Sequence, residues 1–173
     1  MEELFDIVNP QGRVIGTATR RECHAKPELI HPVVHLHLFD HTGRLFLQKR
    51  SQTKDVLPGF WDTSVGGHIN SGEPVPQALL REAREELGIH AAGARYLYTY
   101  VWYGQKESEY VYGFTLEYTG HINLDPVEIE TGRFFTPAEI RQKLHSNYFT
   151  PNFEYEYHHY LLPALAKAAG KIL

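Results

Sequence analysis

The sequence predicts an α/β fold of the α+β kind, in which helices cover a mixed β-sheet. Two observations predict it. Segments rich in β-branched and aromatic residues fill much of 1–50 and 96–118, whereas one strong helical pattern lies between them and two more close the chain. Strands grouped in this way do not alternate regularly with helices, which excludes a regular doubly wound fold. The 173 residues can bury an extensive core, so we expect a single domain over 1–173.

The strands are predicted from apolar/polar alternation and from β-branched and aromatic content. They cover 4–8, 13–18, 33–39, 44–48, 96–103, 110–118 and 133–135. The loop 40–43 has the length and composition of a hairpin loop, so the strands on either side of it are expected to pair.

The strongest helix prediction covers 74–87. Its prolines, Pro74 and Pro76, fall in the first turn, where backbone amides have no helical partner, and Gly88 is well placed to end the helix. Two further helices are predicted: 136–145, which starts with a capping box, and 154–169, which is interrupted near Pro163.

The composition excludes several classes of protein. The single cysteine, Cys23, cannot form an intrachain disulfide, and a net charge of −4 gives no footprint for a nucleic-acid polymer. No apolar run approaches the roughly 20 residues of a membrane span. The acidic start lacks the basic and apolar pattern of a secretory signal. We therefore expect a cytoplasmic protein without a membrane partner. Any phosphate group that it binds must be held by a local site, because the net charge of the protein does not attract it.

Three carboxylates are predicted to share one stripe of the helix 74–87. At 100° per residue, Glu82, Glu85 and Glu86 fall within an arc of about 100°, next to the arc that faces the core. Like charges at this spacing are destabilising, and a hard divalent cation such as Mg²⁺ removes the conflict. Arg81 lies four residues before Glu85 and can pair with it. The spacing alone leaves a solvated acidic helix face as the alternative.

The segment 67–89 reads Gly-x5-Glu-x7-Arg-Glu-U-x-Glu-Glu-x-Gly-U, where U is apolar. It resembles the Nudix box and is complete at every position. Resemblance to the Nudix hydrolase family implies an α/β/α sandwich around a mixed sheet. It also implies an enzyme that uses Mg²⁺ or Mn²⁺ to hydrolyse the diphosphate bond of a nucleoside diphosphate linked to another moiety, or of a similar small organic diphosphate. A homodimer would be usual for the family.

The resemblance also assigns roles to residues of the box. By position, Glu82, Glu85 and Glu86 would be metal ligands, and Arg81 would orient one of them. The backbone carbonyl of Gly67, or of the glycine before it, would complete the coordination. The general base varies within the family, so the resemblance does not assign it.

Beyond the box, the first two thirds of the chain resemble the isopentenyl-diphosphate isomerase branch of the superfamily. The similar stretches are 9–12, 45–50, 58–61 and 63–68. Isomerases of this branch hold a metal with three histidines and two glutamates, and the matching residues here are His24, His31, His68, Glu107 and Glu109. Imidazoles with carboxylates suit Mn²⁺, Zn²⁺ or Mg²⁺. The alternative is that these side chains only form the polar lining of the same cleft.

Two departures from that branch argue against isomerisation. The isomerases need a cysteine for proton transfer at the position of Gly66, and glycine has no proton to move. The box here is intact, whereas theirs is degenerate. The resemblance therefore favours a hydrolase whose sequence outside the box is similar to that of the isomerases. Two alternatives remain: an enzyme that transfers a proton on a prenyl diphosphate, or a diphosphate-binding module without turnover.

Contacts to the substrate are predicted less directly. Arg50 and Lys49 end a strand, and an arginine there suits phosphate oxygens. Trp61 could stack on a nucleobase, although aromatic residues in strands more often pack in the core. The alternative for Lys49 is a solvated strand end. Other histidines are expected at the surface or satisfied in the core: His35, His37, His158 and His159. The identity of the substrate is not predicted.

Overall fold

The computed structural model describes residues 2–169, so Met1 and 170–173, which the predicted domain includes, lie outside the described residues. The strands are β1 (Leu4–Val8), β2 (Val14–Thr19), β3 (Ile30–Phe39), β4 (Leu45–Arg50), β5 (Trp61–Asp62), β6 (Val65–His68), β7 (Arg95–Tyr103), β8 (Ser108–Glu117) and β9 (Ile129–Phe135). The helices are α1 (Arg20–Cys23), α2 (Val75–Leu87), α3 (Pro137–Lys143), α4 (Pro151–Glu156) and α5 (Leu162–Ala169).

The main sheet has seven strands and is mixed. Its path runs β5-β4-β3-β8-β7, while β6 also pairs with β3 and β9 with β4. Strands β3 and β8 are parallel over ten positions, and the other pairs are antiparallel. The predicted hairpin forms only at its closed end, where Phe39 pairs with Leu45. Beyond that pair the strands diverge, because β3 takes β6 as its partner and β4 takes β9.

The alternation along β4 shows that helices pack on both faces of the sheet. Phe46 belongs to the core cluster of α2, with Leu79, Ala83 and Leu87. Its neighbours Leu45 and Leu47 instead belong to the cluster of α3 and α4, with Ile140 and Phe153. Because successive side chains of a strand point to opposite faces, the sheet lies between two helical layers. The predicted α/β/α sandwich around a mixed sheet is confirmed.

The helix that carries the box begins and ends as its sequence predicts. Pro74 is the extended residue before α2, and Gly88 ends the helix in the left-handed region with φ +64°. A residue with a side chain is strained at that φ, which explains the glycine. The apolar face of α2 packs on β3 and β6, so its position relative to the sheet is fixed.

The closing helix is interrupted where the sequence predicts an interruption. A π-helical turn, Tyr157–Leu161, joins α4 to α5. In it, the amide of Leu162 donates to the carbonyl of Tyr157, five residues back. Pro163 follows directly and has no amide hydrogen, so the regular pattern fails at this point. None of the helices described within 2–169 combines the length and the apolarity that crossing a membrane requires.

Candidate active site

A cleft of about 810 Å³ opens at one end of the sheet, beside the acidic stripe of α2. Strands β3 and β6, helix α2, and the loops 51–60 and 104–107 line it. Within it lie the three predicted box carboxylates, Arg81 and Gly67. Four members of the second predicted set also line it, namely His24, His68, Glu107 and Glu109, whereas His31 lies behind the lining, next to them. The cleft is therefore where the candidate chemistry is concentrated.

Arg81 holds the carboxylates in place. Its Nη1 donates to Glu82 at 2.6 Å and to Glu85 at 3.1 Å, and its Nη2 donates to the carbonyl of His68 at 2.9 Å. Glu73 accepts from Nε and Nη2 at 2.9 and 2.8 Å, a two-point contact that fixes the guanidinium plane. These acceptors raise the pKa of Arg81, with the Glu73 hydrogen bond first. The sequence predicted the Glu85 pair but not the Glu73 anchor, although Glu73 is a fixed position of the box.

Two of the three carboxylates are buried and one is exposed. Burial raises the pKa of Glu82, and burial together with Glu82 raises the pKa of Glu86 to about 8. Glu86 accepts from the Gln48 amide at 2.9 Å and from the Gly66 amide at 3.3 Å. Glu85 is exposed at the rim. Desolvated carboxylates with raised pKa values are a donor set that a hard cation fits, since its charge offsets their repulsion.

Gly67 permits the close approach of β6 to α2. A Cβ at this position would overlap the carboxylate of Glu82. Only glycine therefore lets the backbone of β6 lie against that side chain, beside the position where the sequence predicts a carbonyl ligand.

The second predicted set is brought together except for one member. His24, His31, His68 and Glu107 each offer a ligand atom, and these atoms all lie within 4.8 Å of one another. Both ring nitrogens of His31 are buried without a hydrogen-bond partner among the described residues. Burial lowers the pKa of His31 to about 4 and that of His68 well below its usual value, so both rings are neutral. Neutral imidazoles with unsatisfied nitrogens are the donors that a transition metal fits.

Glu109 lines the same cleft but stands outside that group of four. Its Cα pairs with that of His31 across β3 and β8. Burial and the neighbouring Glu107 raise the pKa of Glu109 to about 8. It therefore belongs to the acidic lining of the cleft.

The three predicted substrate contacts have different locations. Arg50 lines the cleft and donates to Asp62 at 3.0 Å and to the carbonyl of Val56 at 3.0 Å. Lys49 points away from the cleft, because neighbours on a strand face opposite sides, and its Nζ pairs with Glu130 at 2.6 Å. Lys49 is therefore absent from the lining of the cleft, and its partly exposed side chain is engaged in this ion pair.

Trp61 packs in the core instead of facing the cleft. Its ring lies 4.9 Å from that of Phe135, edge to face, and is stacked with Tyr148. The prediction that it contacts the substrate is not supported, because its apolar surface is already covered. Two other aromatic residues, Trp102 and Tyr103, do line the cleft.

Sequence reasoning missed the floor of the cleft. His35 lines the cleft from β3, and its Nδ1 lies 2.6 Å from a carboxylate oxygen of Glu156. Tyr100 donates to the same oxygen at 2.8 Å. The expectation that His37 is satisfied in the core is correct, since both of its nitrogens are bonded. For His35, only Nδ1 has a hydrogen-bond partner within the described part of the chain, and no sequence signal joins this residue to Glu156.

The fold and the cleft first define a class: an α/β/α sandwich in which one helix presents clustered carboxylates to a cleft. The chain belongs to the NUDIX domain family, whose family model matches residues 29–153. It is 33% identical over 152 residues to the uncharacterized Nudix hydrolase YfcD of Escherichia coli (strain K12), covering 87% of this chain and 82% of that protein.

Two further comparisons show similarity over most of the chain, one in sequence and one in structure. An isopentenyl-diphosphate Delta-isomerase of Streptomyces coelicolor is 32% identical over 146 residues, covering 81% of this chain and 74% of the isomerase. The crystal structure of DR0079 from Deinococcus radiodurans matches with a TM-score of 0.75 and 28% identity, covering 86% of this chain and 92% of that one. The protein is a Nudix hydrolase, of the class that hydrolyses diphosphate bonds.

Proposed function

We propose that this protein hydrolyses the diphosphate bond of a small organic diphosphate, such as a nucleoside diphosphate linked to another moiety, with Mg²⁺ or Mn²⁺ as cofactor. The observation that carries the proposal is that Glu82, Glu85 and Glu86 all line the cleft, where Arg81 is hydrogen-bonded to Glu82 and Glu85. A divalent cation held by these carboxylates would offset the charge of the phosphate oxygens and favour attack by water.

Other residues of the cleft hold the three carboxylates in position. Arg81 orients Glu82 and Glu85, and Glu73 fixes Arg81. Gln48 holds Glu86 in a ligand position by donating to one of its oxygens. A carboxylate of this cluster would take the proton of the attacking water.

Hydrolysis is favoured over isomerisation by what faces the cleft. The Streptomyces relative is named an isomerase, but the position at which that branch carries its cysteine is Gly66 here, and the buried Cys23 does not line the cleft. Burial raises the pKa of the Cys23 thiol to about 11, which suits packing and not proton transfer. A binding module without turnover is less consistent with an intact carboxylate cluster.

Replacing Glu85 with glutamine will lower turnover on the order of 100-fold, because the general acid–base and ligand functions of the cluster need the carboxylate. The fold will be unchanged, since Glu85 is exposed. The measurement is Mg²⁺-dependent phosphate release from nucleotides, nucleotide sugars, dinucleotides and isopentenyl diphosphate. Glu117→Gln, at an exposed position of β8, is the matched control and should keep full turnover.

Equal turnover in Glu85→Gln and Glu117→Gln would contradict the proposal. If the wild-type protein releases no phosphate from any compound of the panel but incorporates deuterium from D₂O into isopentenyl diphosphate, isomerisation would be established instead.

We also propose that His24, His31, His68 and Glu107 bind a second divalent ion, with Mn²⁺ or Zn²⁺ suited to the donor set. The support is the unsatisfied pair of nitrogens on buried His31. After equilibration with Mn²⁺ or Zn²⁺, we expect one more equivalent of metal in the wild-type protein than in His24→Gln. The exposed His121→Gln is the control and should bind as the wild type. Equal metal content in all three proteins would show that the set is only polar lining.

A further inference from the structure

Two histidines of β3 face the same side of the sheet but differ in their hydrogen bonds. His37 is satisfied at both nitrogens, by Thr63 at 2.9 Å and by Tyr98 at 2.7 Å. Burial lowers the pKa of His37 to about 4, so its ring is neutral. His35 is bonded only at Nδ1, by Glu156, and its ring reaches the cleft.

Glu156 keeps the ring of His35 charged and fixed. The carboxylate is fully buried and accepts from His35 Nδ1 and from the hydroxyl of Tyr100. A buried carboxylate is stable only when it is paired and hydrogen-bonded. His35 provides the pairing charge, and Glu156 correspondingly raises the pKa of His35 to about 9 against the opposing effect of burial. The ring therefore carries a proton on each nitrogen, one of which faces away from Glu156.

The Nε2 side of His35 lies beside Gly66. A Cβ on Gly66 would be 3.6 Å from Nε2 and 3.5 Å from the adjacent ring carbon. Gly66 has no side chain, so this edge of the imidazole is left uncovered at the floor of the cleft. The amide of the same glycine donates to Glu86, which places Nε2 near the carboxylate cluster. Among residues 2–169, Nε2 has no hydrogen-bond partner.

The arginines and lysines that line the cleft are already engaged. Each has an acceptor within the described part of the chain: Arg20 has Glu3, Arg50 has Asp62, Lys54 has Glu128, Arg81 has Glu73, and Lys106 has the carbonyl of Asp55. An anionic substrate must break or share these contacts to use them. The N–H at His35 Nε2 needs no such exchange, and its orientation is already fixed by Glu156.

We propose that His35 is a substrate-contacting residue, in which the imidazolium held by Glu156 donates from Nε2 to a non-bridging oxygen of the substrate's diphosphate. The inference rests on the proposed function, since it assumes that a diphosphate occupies the cleft. A preorganised charged donor of this kind strengthens binding without further ordering of the side chain. The imidazolium also places a positive charge in a part of the cleft whose lining includes the carboxylates of Glu109 and Asp62.

The test uses inorganic diphosphate as the probe, with Mg²⁺ present and binding measured by calorimetry. His35→Gln keeps a donor for Glu156 but removes the imidazole with its Nε2–H, and a lost charged hydrogen bond should weaken diphosphate binding roughly 10-fold or more. His37→Gln is the matched control, because His37 has the same strand and face and does not line the cleft. It should bind diphosphate within about twofold of the wild type.

A measurement on the wild-type protein covers the case in which His35→Gln fails to fold. In ¹⁵N-resolved imidazole spectra, diphosphate should shift the Nε2 resonance of His35 while Nδ1 remains protonated. An unshifted Nε2, unweakened binding by a folded His35→Gln, or absence of diphosphate binding by the wild type would each overturn the inference. Failure of the proposed hydrolysis looks different: the wild type would bind diphosphate through His35 yet turn over no compound of the panel.

Discussion

Arg81→Leu will lose hydrolysis on the order of 1,000-fold, because misplacement of a catalytic group by about 1 Å already costs on the order of 100-fold and Arg81 positions two carboxylates. The variant will also unfold more easily, by about 3 kcal/mol in free energy of unfolding. The reason is that Glu73 and Glu82, which are mostly buried, lose the cation that pairs with them. Turnover and denaturant unfolding measure the two effects.

Two further variants separate charge from geometry at this position. Arg81→Lys keeps the charge but cannot form the two-point contact with Glu73, so an intermediate loss of turnover is expected. Arg84→Leu removes the exposed arginine one turn further along α2 and should leave turnover and stability near wild type. If Arg84→Leu and Arg81→Leu behave alike, the positioning role of Arg81 is wrong.

Glu156→Leu will lower the free energy of unfolding by about 4 kcal/mol at pH 6.5, because removing one partner of a buried pair leaves the other charge uncompensated. The ring of His35 would lose the hydrogen bond at Nδ1, and the hydroxyl of Tyr100 would lose its acceptor. Glu156→Gln keeps an acceptor at the same position and should lose less. A stability of Glu156→Leu equal to that of the wild type would show that His35 is neutral in the folded protein.

The pH dependence of this loss has a definite sign. The pKa of His35 is raised to about 9 in the folded protein, against an ordinary value of 6.5. Its contribution is therefore fully present below pH 6.5 and is lost as the pH rises through 9, by about 3 kcal/mol in total. The charged or titratable groups that face the ring are Glu156, Glu109, Asp62 and His37.

Comparison of the variant with wild type removes most of the contribution of the cleft carboxylates, although the pKa of Glu109 itself responds to both Glu156 and His35. Glu86 and Glu109, whose pKa values are raised to about 8, also make the folded protein less stable as the pH rises, but they are present in both proteins. Denaturant unfolding at pH 6.5 and pH 9 should therefore show a smaller difference between Glu156→Leu and wild type at the higher pH. A difference that is constant across this range contradicts the ion pair.

Local signals predicted the helix that carries the box and the residues on it. A proline just before the helix, a second proline in its first turn, a left-handed glycine at its end and an apolar stripe determine α2 within one residue. The shared stripe of Glu82, Glu85 and Glu86 follows from the helical period, whereas their role as metal ligands was predicted only through the resemblance. The alternation of a strand could have shown that Lys49 and Arg50 point to opposite sides, but not which of them faces the cleft, because that depends on the helices that cover each face.

Contacts between distant segments could not be predicted in this way. His35 and Glu156 are 121 residues apart in sequence, and nothing local joins them. The same holds for Trp61, whose packing partners come from β9 and the loop before α4. The grouping of His24, His31, His68 and Glu107 was predicted only through resemblance to a known branch, since their spacing in sequence does not imply a common site.

The parallel pairing of β3 with β8 has a consequence for how the protein folds. These strands join ten residue pairs that are about 80 positions apart in the chain, so a long loop must close before the pairing gives any stability. His31 and Glu109 sit opposite each other in this ladder. The acidic helix can form early from local contacts, whereas the opposite wall of the cleft is completed only in the slow, non-local step of folding.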